Sequence, residues 1–284
     1  MSNIKPSFQV YLSIGILGLL TVILPIISLG TIPTILTITI ALWGIISINW
    51  PKIGLFLIIF LRPCLDIWTS LGIIKIAEKD LNFASILSIL LLLVSGYLLK
   101  SEKYTLNKLP LLYPWLGFLG ITFLSIIWSI YPIISFAESL RILSFFTLFF
   151  YAFAYVKSAK DLESLLKIIV ASGVIPSAFA LYQFITDTGL TTPLEGIYNR
   201  IYGTFAHPSL LAHFILLPII STIYFVLNEK KDKIKRLTFA AISIFYTFIL
   251  VLTFTRGAWL ALFRSQGLAS ARPEAKGSLR AALA

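Results

Sequence analysis

Four arginines stand at the edges of long apolar runs: Arg62, Arg141, Arg200 and Arg256. A guanidinium carries donors in a planar fork that can grip two phosphate oxygens at once. Charge beside hydrocarbon is costly, so each of these residues needs a reason to be there. One reason is snorkelling to an aqueous interface, or a local ion pair. Asp66 is at hand for Arg62, and Glu138 lies three residues before Arg141, on the same face of a helix. The Glu138–Arg141 couple is either such a pair or a group that orients a substrate. The other reason is an anionic ligand, and a lipid diphosphate would meet the arginines at that depth.

The stretch from Asp187 to His213 is the least lipid-like before residue 264. Pro208 suits the first turn of a following helix. Gly203 permits unusual backbone angles or close approach of a ligand. Tyr198 and Tyr202 belong to an interfacial aromatic belt or contact a sugar ring. His207 either caps the helix after it or carries a proton, since free histidine titrates near physiological pH. His213, about a turn and a half deeper, is expected to pack between helices. Two histidines and the single Cys64 do not make a metal cluster, and one thiol cannot form an intrachain disulfide.

The elements that must position these groups follow from composition. Of 284 residues, 58% are hydrophobic and 12% charged, with a mean hydropathy of +0.94. Soluble domains hold about 45–50% apolar and about 25% charged residues. A soluble enzyme, a disordered tail and a fibrous repeat are excluded. The apolar runs are too long, and alternate too little, for a β-barrel. An all-α, polytopic helical membrane protein remains.

A span takes about 20 mainly apolar residues. Nine complete spans are expected near 8–29, 31–49, 51–68, 81–99, 109–130, 134–156, 165–187, 208–228 and 237–255. A tenth begins at Gly257 and is cut short. The run from Phe8 is too long for a cleavable signal peptide and has no small-residue cleavage site. The net charge of +11 is concentrated in connections two spans apart. Lys100, Lys103 and Lys108 form one group, Lys157, Lys160 and Lys167 a second, and Lys230, Lys231, Lys233, Lys235 and Arg236 a third. The positive-inside rule puts these loops and the N-terminus in the cytoplasm. The charge therefore reads as orientation in a lipid bilayer, with no nucleic-acid partner. The four edge arginines then all fall on the outer side, which favours the anionic ligand. Lys75, Glu78, Lys79 and Asp80 read as a solvated outer loop.

From Arg264 the composition changes abruptly: 264–284 holds no Ile, Phe, Val, Tyr or Trp. This reads either as a short polar tail or as a frameshift, fusion or truncation. Residues 1–263 are taken as the transmembrane domain.

Arg200-Ile-Tyr-Gly-Thr-Phe-Ala-His-Pro and, further on, Thr253-Phe-Thr-Arg-Gly-Ala-Trp-Leu resemble two motifs of the O-antigen ligase/polymerase family. Thr255 stands where the family more often has Ser. Arg62-Pro63-Cys64-Leu65-Asp66 is similar, more weakly, to the family's outer Arg/Asp region. The resemblance covers roughly 1–263. It implies a glycosyltransferase C-type fold in a bacterial plasma (inner) membrane. It also implies transfer or polymerisation of a glycan from an undecaprenyl-diphosphate carrier. The acceptor would be a growing glycan, a lipid A core or a protein. Arg200 and Arg256 would bind the diphosphate, with Arg62, Asp66, Glu138, Arg141, Tyr202 and His207 in support. No metal or other cofactor is implied, because the arginines neutralise the leaving group. The family continues into a large outer loop with an essential histidine, to which nothing here corresponds. The chain as written is therefore expected to lack its general base and to be inactive. The competing reading is a transporter of an anionic solute, since some relatives have been called bicarbonate transporters. A membrane scaffold without chemistry is a third, but it requires no outer arginines.

Overall fold

The computed structural model describes residues 31–68, 72–76, 79–101, 109–190, 199–229 and 231–262. The expected first span, the tail 264–284, and Glu78, Lys103, Lys108, Tyr198 and Lys230 lie outside them.

The described chain is helical, as its apolar runs require. The helices are α1 (Thr31–Asn49), α2 (Pro51–Leu65), α3 (Phe83–Ser101), α4 (Leu112–Leu124), α5 (Pro132–Tyr155), α6 (Ala159–Ser172), α7 (Val174–Thr186), α8 (Pro208–Asn228) and α9 (Lys233–Leu252). Residues 256–262 begin a further helix. Four stretches are long and apolar enough to cross a membrane: Pro132–Tyr155, Ala159–Thr186, Pro208–Asn228 and Lys233–Leu252. The described apolar parts of the others, 38–49, 87–98 and 112–128, are shorter. Large apolar side chains such as Ile127, Leu93, Ile185 and Ile244 stay exposed. Water does not tolerate such a surface and lipid does, so the fold is that of a helical membrane protein.

Two expectations need correction. Residues around Lys75 and Asp80 are not an irregular loop. They form an antiparallel hairpin, β1 (Gly72–Ile76) and β2 (Lys79–Asn82), with Lys75 opposite Asp80. The Ile-rich segment before Lys75 favours strand, because β-branched residues suit a pleated backbone. The stretch expected as one span at 165–187 is one membrane-length apolar run, Ala159–Thr186, which starts earlier and is interrupted at Gly173 between α6 and α7. Pro176 has no N–H to give the carbonyl of Ser172, which weakens the helix just before it. A side chain at 173 would meet Tyr246 at 3.0 Å and Pro218 at 3.3 Å, so glycine lets α8 and α9 close on the break.

The chain contacts divide into two compact units: Met1–Leu57 with Trp68–Val156, and Ile58–Ile67 with Lys157–Ala284. In the first, α3 packs on α1 and α5, and α4 on α5. The Trp43 indole donates to the Gly54 carbonyl at 2.8 Å, and the Tyr151 hydroxyl to that of Pro51 at 2.6 Å. In the second, α8 is central, contacting α6 and α9. Its buried stripe includes Leu211, Ile215, Pro218, Ile219, Thr222 and Phe225, spaced by three or four residues as one helix face demands. The Tyr246 hydroxyl donates to the Val170 carbonyl at 2.6 Å, tying α9 to α6.

Both polar ends opposite the arginines are capped. Ser158 and Asp161 form a capping box on α6, and Asp232 accepts from the Lys235 N–H at the start of α9. That backbone hydrogen bond first, and the Lys235 side chain next, hold the Asp232 carboxyl below the usual aspartate range. A depressed folded-state value gives stability that is complete above the unfolded value and is lost as pH falls through the folded one. Acidification below about pH 4 is therefore expected to lower the melting temperature, with a smaller drop in Asp232→Asn. Melting of the purified protein across that range, wild type beside variant, measures it; equal slopes would remove Asp232 as a contributor.

Candidate functional site

The second unit gathers the sequence motifs at one end. α8 ends at Asn228 and α9 starts at Lys233 and packs along α8, so 253–256 return to the end where α8 began. α7 also finishes there, at Asp187.

Arg200 is the centre of this end. Its backbone pairs with Leu190 in both directions, at 2.8 and 3.0 Å. Gly189 makes the pairing possible, because a Cβ there would lie 2.6 Å from the Arg200 carbonyl oxygen. The Arg200 side chain then crosses to the other motif. Nε donates to the Thr253 carbonyl at 2.9 Å, and Nη2 to Thr255 Oγ1 at 3.3 Å. Two motifs more than fifty residues apart in sequence are thus joined by one guanidinium, at the turn that Arg256 directly follows in the chain.

The 253–256 turn is built to receive it. Thr253 is fully buried and its hydroxyl donates to the Leu250 carbonyl at 2.7 Å. Phe254 takes a left-handed conformation, φ 52°. That costs a side-chain-bearing residue roughly 1–2 kcal/mol, and such strain persists only where neighbours over-determine the backbone. The neighbours here are Arg200 on the Thr253 carbonyl and the Trp259 indole on that of Leu250, at 3.2 Å. Arg256 opens the helical segment 256–262 with an exposed side chain.

A second turn holds Arg200 from below. Gly203 has φ +59°, and its backbone is read by one buried side chain, Gln183. Gln183 Oε1 accepts from Tyr202 N–H at 3.0 Å and Gly203 N–H at 2.8 Å, while Nε2 donates to the Gly203 carbonyl at 3.1 Å. Thr204, next along, is buried and donates to the Pro63 carbonyl at 2.7 Å. Carbonyls in the last turn of a helix have no partner within it, so Thr204 completes the end of α2. It also brings the Arg62 region to this end.

Among the supporting residues, Arg62 is engaged by Asp66 in a partly buried ion pair. Tyr202 is half-buried and contributes its backbone to the Gln183 contact. His207 is the N-cap of α8: Nδ1 accepts from the Ser209 N–H at 3.2 Å and lies 2.6 Å from the Ser209 hydroxyl. An Nδ1 that accepts a backbone N–H carries no proton, so capping occupies this nitrogen. Pro208 takes the first helical position as expected. His213 does not pack between helices. It is exposed, on the face of α8 opposite the buried stripe, with Nδ1 2.6 Å from the Ser209 carbonyl. Glu138 and Arg141 belong to the first unit, where they pair with each other on the exposed surface of α5.

Chemically, this end offers two guanidinium groups that no carboxylate pairs among the described residues. Such groups favour an anion with oxygens in the plane of the fork. Among the described residues no cluster of His, Cys, Asp or Glu could hold a metal ion. Gln183 and Leu190 carry no motif of their own in the sequence. The only signal was a glutamine in an otherwise apolar run, since a buried amide must be hydrogen-bonded. Comparison with known proteins identifies no relative: no family model, curated protein or solved structure matches the chain.

Proposed function

We propose that the arginine-bearing end of the second unit binds the diphosphate of a polyprenyl-linked glycan. The protein would then be a glycosyltransferase-like component of bacterial envelope polysaccharide assembly, of the O-antigen ligase/polymerase type. The observation that carries this reading is the Arg200 bridge to Thr253 and Thr255, the turn that Arg256 directly follows in the chain. In glycan transfer of this type an acceptor hydroxyl attacks the anomeric carbon, its proton passes to a general base, and the bond to the diphosphate oxygen breaks; the residues of this end supply the diphosphate-binding part of that step. Negative charge grows on that oxygen, and guanidinium donors aimed at it stabilise the transition state more than the ground state. Arg256 reaches the diphosphate from the exposed side and Arg200 offers the edge left free by Thr253 and Thr255. Tyr202, two residues after Arg200 and half-buried, is the candidate for a sugar face. The donor is an undecaprenyl-diphosphate glycan, and the acceptor a growing glycan or a lipid A core. The full set of nine spans, a plasma-membrane location and a cytoplasmic N-terminus belong to the same proposal. The span count rests on the apolar runs, the orientation on the charge pattern, and the plasma membrane on the family resemblance.

Titration of the purified, nanodisc-held protein with farnesyl diphosphate tests it. Wild type is expected to bind, and Arg256→Ala to weaken binding about tenfold, as the loss of one charge-assisted contact implies. Arg256→Lys should recover only part, because an ammonium lacks the fork. Equal affinity in all three sinks the reading.

One observation favours a second reading, transport of an anionic solute: the break at Gly173 within Ala159–Thr186. Transporters often place their substrate at such discontinuous helices. No ionisable residue stands within the break, from Val170 to Ala180. Bicarbonate uptake by proteoliposomes, absent from empty vesicles, would favour this second reading.

A further inference from the structure

Gln183 is the one buried amide that reads both faces of the Tyr202–Gly203 turn. It is 4% exposed, lies on α7 among apolar residues, and has both ends of its side chain satisfied. On one side of this turn Arg200 reaches Thr253 and Thr255; on the other Thr204 reaches Pro63. Three segments far apart in sequence therefore meet through a turn whose geometry one side chain sets. The left-handed Gly203 backbone has no regular ladder around it, so those hydrogen bonds are what select it over other loop conformations. Two of the three go to consecutive N–H groups, which a loop in another conformation would not present together.

We propose that Gln183 is a positioning residue for the anion site. It holds the 202–203 turn so that Arg200 locks the 253–256 turn, and Arg200 and Arg256 then present one anion-binding edge to a polyprenyl diphosphate. The ligand class rests on the diphosphate reading above; the mechanical coupling does not. Gln183 touches no ligand. It acts through Arg200.

The test uses the full chain in nanodiscs, amide hydrogen exchange as one readout and farnesyl diphosphate affinity as the other. Gln183→Met keeps the length of the side chain and removes all three hydrogen bonds. It is expected to raise exchange at 199–206 and also at 253–257, which Gln183 does not contact. It should weaken farnesyl diphosphate binding about tenfold, the scale of a site losing one aligned charged contact. In an Arg200→Ala background the same change should leave affinity unaltered, because the route through Arg200 is gone. A merely structural glutamine would lower the melting temperature equally in both backgrounds and reduce affinity in both. Exchange that rises at 199–206 alone, or an affinity loss that adds in full to Arg200→Ala, overturns the proposal. If wild type binds no diphosphate, the diphosphate reading fails, and exchange at 253–257 still decides the coupling. If Gln183→Met does not fold, Gln183→Glu serves in its place. It keeps the oxygen that accepts from the two N–H groups but turns a second acceptor oxygen onto the Gly203 carbonyl, so a rise at both segments is expected, and none at 253–257 refutes the coupling.

Discussion

Arg200→Lys is expected to damage the protein twice, in ligand affinity and in the order of the 253–256 turn. The guanidinium spends Nε on the Thr253 carbonyl and Nη2 on Thr255 Oγ1, and keeps further donors for a ligand. An ammonium is a point with rotating donors and cannot hold two such acceptors in plane while reaching a third. If it keeps the Thr253 carbonyl it gives up the ligand. If it turns to the ligand, the carbonyl of the fully buried Thr253 keeps only the long 3.4 Å hydrogen bond from the Thr255 hydroxyl. An under-satisfied buried acceptor costs about 1–3 kcal/mol. At about 1.4 kcal/mol per decade, that is roughly tenfold to a hundredfold in any equilibrium depending on the turn. Farnesyl diphosphate affinity should fall by at least that much, and the melting temperature should fall with it. Arg256→Lys provides the contrast. Arg256 is exposed and bridges no segments among the described residues, so its replacement should spare the melting temperature. A lysine at 200 that left melting and affinity at wild-type values would show that the bridge does not hold the turn.

The parts of this end that were legible in the sequence are those fixed by local chemistry. Pro208 and His207 announced the start of α8, because proline tolerates the first turn and a side-chain acceptor must precede it. The apolar run to Asn228 needed no tertiary information, and α8 ends where it ends. The pairing of Glu138 with Arg141 followed from helical spacing alone. What was not legible depends on contacts across the fold. Pro176 marked a perturbed helix, yet the break falls at Gly173, because that is where Tyr246 and Pro218 need the space. His213 was expected inside and is outside, since a stripe centred on Leu211, Ile215 and Ile219 turns position 213 away. The run expected as one span through residue 130 ends as a helix at Leu124. It tightens into a 3-10 turn, Ser125–Trp128, and Ser129 bonds Ser135 across the connection to α5. Arg200 could be singled out as an arginine at a membrane edge. That it binds the backbone of residue 253 could not, because nothing in spacing encodes a contact over 53 residues.

Gly203→Ala is expected to be among the most damaging small substitutions in the second unit. The added methyl would lie 2.6 Å from the carbonyl oxygen of Pro176, and both partners are backbone. Neither can swing aside as a side-chain tip would, so α7 or the turn must move. The φ of +59° adds a second cost, because an L side chain disfavours that region. The conformational part is roughly 1–2 kcal/mol and overpacking is worth roughly 1–3 kcal/mol. The loss of stability should therefore fall at roughly 2–5 kcal/mol. Asparagine separates the two parts. It tolerates the left-handed region better than alanine but carries the same Cβ, so Gly203→Asn should recover at most the conformational share. Gly257→Ala is the control within the second motif. Its Cβ would meet nothing within 4 Å and its backbone is helical, so alanine should be neutral or favourable there by roughly 0.5–1 kcal/mol. Denaturant or thermal melting of the three variants orders them. A Gly203→Ala protein as stable as Gly257→Ala would mean that the turn and Pro176 are not in contact. The Gln183 bonds would then have nothing rigid to hold, because they fasten the 202–203 backbone to the same α7 that Pro176 belongs to. If instead Gly203→Ala melts early and also frees amide exchange at 253–257, the close approach and the Arg200 bridge form one mechanical path from α7 to the second arginine.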